Sequence, residues 1–484
     1  MIASPEDNIH MKLEHAVPII PAVPGEHAID GHPRFSTTAD ALAHYVVRWA
    51  QTPCNAATRH AALKCLLDAL CAAGAALDVA GVIAMRQGAT RLLGPGDIPV
   101  WFTGTGGSIG AAMMANSAAA AAHDLDDGYR RARGHPGAAV VPAVLAMLAE
   151  RSDLSADDAI AAIVAGYEVS LRVAMARPAY APSGAWSAFG VIAALGLLRR
   201  SSEQQIANAL AIAAQISPAL PGLAGIVGSD VKEGIPYGCL AGLASLEMAV
   251  AGSTGPTSIF DDPALFRTDV ILDGLDEASA TPLIEGAYFK PYGCCRHIHG
   301  ALDAFLELRR AQPFATDEIA RIEVHTYRAT FNLANRPSPT SLVDAQYSLP
   351  FCLAAVAVDG DQAMLPIQVS MLEDERFLQL ARQVAILHDP TIEPLFPARS
   401  PARVVVRLKD HRQLTSPLVD PRGDASRPLS WLDLEDKFRK ATAHTLGSTR
   451  QAQVLGALAD FDAGNPAALA TVLRTPGQAR ESSS

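Results

Sequence analysis

The densest reactive chemistry in this chain lies over residues 119–142, AAAAHDLDDGYRRARGHPGAAVVP. His123, Asp124, Asp126 and Asp127 end a run of small, helix-forming residues. Gly128 breaks that run, and Arg130, Arg131 and Arg133 follow in a basic loop. Gly134-His135-Pro136-Gly137 then makes a tight turn ahead of a new apolar helix. Acids, imidazoles and guanidinium groups held between two apolar elements are either paired structural ions or groups that move protons and hold anions.

Two further places share this character. Lys232, in GSDVKEGIP, precedes an apolar helix starting near Gly234. The helix dipole disfavours a cation there and asks for an anionic partner; a solvated surface lysine is the plain alternative. Lys290, Tyr292, Cys294, Cys295, Arg296, His297 and His299 fall within ten residues. Their spacing fits no zinc ribbon or finger. On a helix, His297 and His299 would point about 200° apart, so they cannot share one ion. No metal is expected.

Together these residues suit a proton donor or acceptor set with cationic anchors for a small anionic substrate. His135 is the first choice as general base or acid, because imidazole titrates near neutrality. Asp124 or Asp127 can orient it, with Asp127 also able to contact substrate. Lys232, Lys290 and Arg296 are cationic anchors for an anionic substrate. Tyr347 and His299 are candidates for a proton donor on the other face. Other chemistries lack their signals. Gly104–Gly110 fails the Gly-x-Gly-x-x-Gly order at Ile109, no Walker Lys-Ser/Thr follows, and the stretch reads as a turn before a helix. There is no Gly-x-Ser-x-Gly elbow and no dinucleotide fingerprint.

The elements that must position these groups are mostly helical. The chain has 484 residues, 49% of them hydrophobic and 18% charged, with a net charge of −11. That balance gives large cores and makes nucleic acid and anionic membranes poor partners. Seven cysteines at irregular spacing suit a reduced, cytoplasmic protein, and the first residues resemble no signal peptide. Apolar segments are interrupted by polar residues, so no transmembrane helix is expected. Residues 1–34 read as an extended, proline-containing arm. Helices are expected over about 38–51 (capped by Ser36), 55–76, 138–150, 155–175, 185–198, 202–214 and 234–251. From about 290 to 415 the pattern becomes α+β. Strands are expected at Ile98–Thr103, Ile319–Tyr327 and Ala402–Lys409, and Arg412–Ser416 closes a hairpin. Helices at His299–Ala311, Ala345–Asp359 and Asp374–Val384 accompany them. Helix returns from Ser430 to Leu473.

An ordered set of blocks resembles the MmgE/PrpD family over about residues 38–460. These are AHDLDDG, GHPGAAVVPA, GYEVSLRV, AFGVIAALGLL, VKEGIPYGCLAGLASLEMAVAGSTGP, FKPYGCCRHIHGALDA and AQYSLPFCLAAVAVDG. The resemblance implies a large all-α domain from residues 35–289 and 416–484, with an α+β lid of residues 290–415 inserted. It also implies a homodimer, no cofactor, and a small di- or tricarboxylate substrate. By position, Asp124, His135, Lys232, Lys290 and His299 match the family's motif residues. Ala181 stands where decarboxylase- and dehydratase-like members carry a histidine. Ala181 tells against a simple transfer of the decarboxylase, and family frequency puts first a hydro-lyase of the 2-methylcitrate dehydratase type. Behind it stand an epimerase of the iminodisuccinate type, a cis-aconitate-type decarboxylase, and a carboxylate-binding protein without activity.

Overall fold

A computed structural model describes residues 35–218, 230, 232–277 and 280–477; the arm expected over 1–34 lies outside the described residues. Seventeen α-helices and two small sheets are present among them, so the fold is mostly α. Local signals explain the best-defined helix starts. Ser155 and Ser202 open the helices Ala156–Ala176 and Glu203–Ile216 with reciprocal capping boxes to Asp158 and Gln205. Asn55 caps Ala56–Ala75. The first helix, Thr38–Trp49, is capped by Thr37 rather than Ser36.

The helical core packs closely because its facing residues are small. Gly166 on Ala156–Ala176 meets Gly190 on Ser187–Arg199. A Cβ on Gly190 would lie 2.6 Å from the Gly166 carbonyl oxygen, which only two glycines at the crossing allow. Ala156–Ala176 is long and apolar enough to cross a membrane by length and composition, but 94% of its apolar window is buried within the fold. The Gly-rich stretch forms half of a ribbon, Thr105–Gly107 pairing antiparallel with Ile98–Val100. Ser108 then caps Ile109–Ala121. The helix Ala80–Leu93 carries no side-chain cap at its start and was not expected.

The second sheet runs Val384–His388, Ile319–Thr326, Arg403–Leu408, Gln413–Thr415. The two expected strands pair antiparallel, and the hairpin follows. Val384–His388 corrects an expectation: the helix expected to reach Val384 stops at Ala381, and the chain turns to pair parallel with Ile319–Thr326. Helices Arg296–Ala311 and Leu349–Asp359 cover this sheet. Ile298, Leu302, Phe305, Ile322, Val324, Phe351 and Val404 share one core. The tail returns to the first helices: Trp431–Ala441 packs on Ala56–Ala75, and the Phe102 amide donates to the Leu473 carbonyl at 2.9 Å.

Candidate active site

Helix Ile109–Ala121 ends just before the acidic loop, and Asp124 adopts a left-handed backbone, φ 51°. This conformation is uncommon outside glycine, and aspartate tolerates it better than most. Asp124 and Asp126 share one lysine, while Asp127 turns elsewhere. Lys290 donates to the Asp124 carbonyl at 3.0 Å and to its carboxylate at 2.6 Å. Lys232 bridges Asp124 and Asp126, lying 2.7 Å from Asp126 Oδ1. Asp127 faces away. Its carboxylate accepts from the Tyr167 hydroxyl at 2.5 Å and the Gly137 amide at 3.2 Å.

Lys290 reaches the loop because residues 288–290 run beside it. Gly128 and Tyr288 exchange both backbone hydrogen bonds, at 3.0 and 2.8 Å. A Cβ on Gly128 would run into the end of the Tyr288 side chain, so a larger residue here would push that ring aside.

The charges follow from these contacts. Burial alone would raise Asp124, but Lys232, Lys290 and His135 outweigh it and hold the carboxyl well below its usual range. Asp126 is likewise held down against burial, chiefly by Lys232. Asp127 has no such cation, and burial with Asp68 nearby pushes it up to about 7. Burial would lower Lys232, but Asp124, Asp126 and Glu233 keep it an ammonium.

His135 sits above this cluster. Its amide donates to Ser183 Oγ at 3.0 Å, and Ser183 in turn donates to Glu233. Its Nδ1 lies 2.5 Å from the Asp127 carbonyl oxygen. A carbonyl can only accept, so Nδ1 carries the proton and Nε2 holds a lone pair. Nε2 lies 3.8 Å from Asp124 and 3.9 Å from Glu233, beyond hydrogen-bonding range. Burial, then Lys232 and Lys290, lower its pKa from the ordinary 6.5, so the ring is neutral at pH 7.

A cavity of about 450 Å³ opens over His135, Asp124, Glu233 and Lys290. Arg130, Arg133 and Arg296 add positive charge to it. Arg130 and Arg296 lie over the Tyr288 ring, 5.5 and 4.7 Å from its centroid, and share the Asp424 carboxylate. Arg133 lies over Tyr180 at 5.0 Å and has no carboxylate partner among the described residues. Tyr180, Tyr288 and Tyr347 also line the cavity, and burial raises all three, so they remain hydroxyl donors.

Of the residues singled out in the sequence, His135, Asp124, Lys290, Arg296 and Tyr347 meet at this cavity. Three do not line it. Lys232 lies beneath Asp124 with its ammonium committed to two carboxylates, so it is placed to neutralise rather than to contact substrate. Asp127 is turned toward Tyr167. His299 is one helical turn from Arg296 and packed inward. Its Nε2 lies 3.0 Å from the Cys294 carbonyl and its Nδ1 3.1 Å from Arg296, so it props the guanidinium from behind. The sequence reading did not single out Glu233, Tyr180 or Tyr288. Glu233 had one signal: it follows Lys232 directly and precedes a helix-starting glycine. Ala181 offers only a methyl group, and its carbonyl accepts from Trp186 at 3.3 Å.

Ligating atoms of Asp124, Asp126 and His135 lie within 4.8 Å of one another, a spacing that can hold a cation. The Lys232 ammonium already bridges both carboxylates there.

Comparison with known proteins agrees with this architecture. The family model for the MmgE/PrpD N-terminal domain matches residues 40–276, and that for the C-terminal domain matches residues 292–461. A cis-aconitate decarboxylase of Aspergillus terreus is 26% identical over 386 residues, covering 71% of this chain and 76% of that protein. The Homo sapiens enzyme of the same name is 25% identical over 349 residues, covering 68% and 71%.

Proposed function

The chain belongs to the MmgE/PrpD family, and from that premise we propose that it is an acid–base lyase acting on a small di- or tricarboxylate. It removes a proton α to a carboxylate, and a β-hydroxyl leaves as water. The observation that carries this reading is His135. Its Nδ1 proton is committed to a backbone carbonyl, and its free Nε2 lone pair borders a cavity rich in cations.

The steps follow from the side chains. Lys290, Arg296 and Arg133 hold the carboxylates. His135 Nε2 takes the α-proton, and the electron pair enters the adjacent carboxylate. Cationic and hydroxyl donors fixed around that charge contribute on the order of 3 kcal/mol each. Collapse of the pair forms the double bond and expels the β-oxygen, which takes a proton from the Tyr347 hydroxyl. The His135 imidazolium then passes its proton through solvent to the Tyr347 phenolate, so both groups regain their starting states. Lys232 keeps Asp124 and Asp126 from raising the cost of a second negative charge nearby.

Decarboxylation is the second reading, favoured by the names of the relatives. It needs carbon to be protonated before carbon dioxide leaves, and so needs His135 to enter as imidazolium. Product analysis by NMR over a panel of hydroxylated and unsaturated polycarboxylates separates the two. Loss of water from a β-hydroxy acid supports the lyase proposed here; carbon dioxide release from an unsaturated acid replaces it.

We also place the protein in the cytoplasm, since all seven cysteines are free thiols, and as a homodimer. Tyr237 and Met248 are exposed on Ile235–Val250 and Ile83 on Ala80–Leu93, two helices that both pack on Ile109–Ala121. Sedimentation should show a dimer.

A further inference from the structure

The cavity is two-sided in its chemistry. Its charged residues come from the acidic and basic loops over 124–133, from Glu233 and from Lys290 and Arg296. Its remaining wall comes from the sheet-containing part of the chain, where Ala329, Leu333, Phe396 and Pro397 border the space.

That wall offers no charge. The polar side chains from this part, Asn332 and Tyr347, are neutral. His297 also borders the cavity, but burial and the nearby arginines hold it down to about 4, so it is uncharged at neutral pH. Its Nδ1 is engaged with the Tyr327 hydroxyl at 2.8 Å. Phe396 is fixed as a panel: one face stacks on Tyr327 with centroids 4.5 Å apart, and His297 leans on it at 5.5 Å. Phe331, on the same short turn as Ala329 and Asn332, is 46% exposed.

A substrate consisting of carboxylates alone would leave this wall facing water or facing charge. Neither use explains four apolar residues beside a fixed ring stack. The 450 Å³ of space lies within the range of about 300–1,000 Å³ that takes larger ligands. We propose that the substrate is a polycarboxylate bearing an apolar arm, an alkyl or aryl substituent larger than methyl, which lies against Ala329, Leu333, Phe396 and Pro397. This rests on the polycarboxylate reading above and adds what the rest of the molecule must be.

The test is calorimetric, using succinate, methylsuccinate, butylsuccinate, benzylsuccinate and tricarballylate with the wild-type protein. Affinity is expected to rise along the succinate series by about three- to fourfold per added methylene, with benzylsuccinate among the tightest. In Leu333→Asn, and separately in Ala329→Gln, the ratio of benzylsuccinate to succinate affinity should collapse toward one. A merely destabilised variant would weaken both ligands and keep the ratio. Affinity that is flat or falls along the series, while succinate or tricarballylate still binds, overturns the apolar arm and leaves the polycarboxylate reading standing. No binding of any of the five by folded protein overturns both.

Discussion

Two buried lysines grip the same loop from different sides. Lys290 donates to the Asp124 carbonyl and carboxylate; Lys437 donates to the next carbonyl, Leu125, at 2.7 Å and to Asp68 at 2.6 Å. Both are almost wholly buried, and both reach the loop from distant parts of the chain. They differ in what lies beyond. Lys437 and Asp68 form a closed pair of one cation and one acid, and burial pushes Asp68 up in spite of its partner. Lys290 borders a cavity where further cations gather, and there the cations win and pull Asp124 down. Burial and pairing alone therefore do not mark a working group. What sets Lys290 apart is an open side on which Arg130, Arg133 and Arg296 also border.

Substitution should separate the two sides, with the largest effect on the proton. His135→Gln is expected to lower kcat by about 10²–10⁴ and to change ligand affinity only slightly in calorimetry. Lys290→Met should come next, raising the Kd for a di- or tricarboxylate and lowering kcat/KM by about 10². Lys437→Met should instead lose about 3 kcal/mol of stability in urea unfolding, as a buried pair does when one partner is removed. The KM of its folded fraction should stay close to wild type. Equal behaviour of the two lysine variants would break the comparison.

A smaller effect falls on pH dependence. His135 is held below 6.5 by burial and by two ammonium groups. The acid limb of kcat/KM should therefore lie below pH 6.5, where free imidazole would already be protonated. Lys232→Met removes a positive neighbour and exposes His135 to Asp124 and Asp126. Both changes favour the imidazolium, so its pKa rises, the limb moves up and activity near pH 6 falls. An unmoved limb would mean that His135 is not the titrating base. The smallest expected effect is none: activity should survive exhaustive chelation, because Lys232 supplies the cation between Asp124 and Asp126. Loss restored by one divalent ion would contradict that.

The legible parts of the sequence were those with local causes. Ser155, Ser202 and Asn55 announce helices because their side chains bond the next turn. Ile319–Thr326 alternates because one face is buried. Ala80–Leu93 has no cap to announce it. Val384–His388 is a strand only because a distant strand pairs with it, and no local signal carries that. In the site, His135, Asp124 and Lys290 were readable from residue type and from the resemblance. Which lysine opens on the cavity was not. Lys232 and Lys290 are alike as sequence, and only the fold puts one beneath Asp124 and the other beside the space. Tyr180 and Tyr288 were unreadable for the same reason, since their ring contacts with Arg133 and Arg130 join distant segments.

On the function proposed above, His135 removes an α-proton from a polycarboxylate held in this cavity. Proton NMR in deuterium oxide tests it most directly, with wild type and His135→Gln incubated with a panel of di- and tricarboxylates. For at least one acid, the wild type should replace the α-hydrogen by deuterium or convert it to an unsaturated product, and His135→Gln should do neither while still binding it. Equal exchange by the variant, or binding by the wild type with no change at any α-carbon across the panel, would contradict the account.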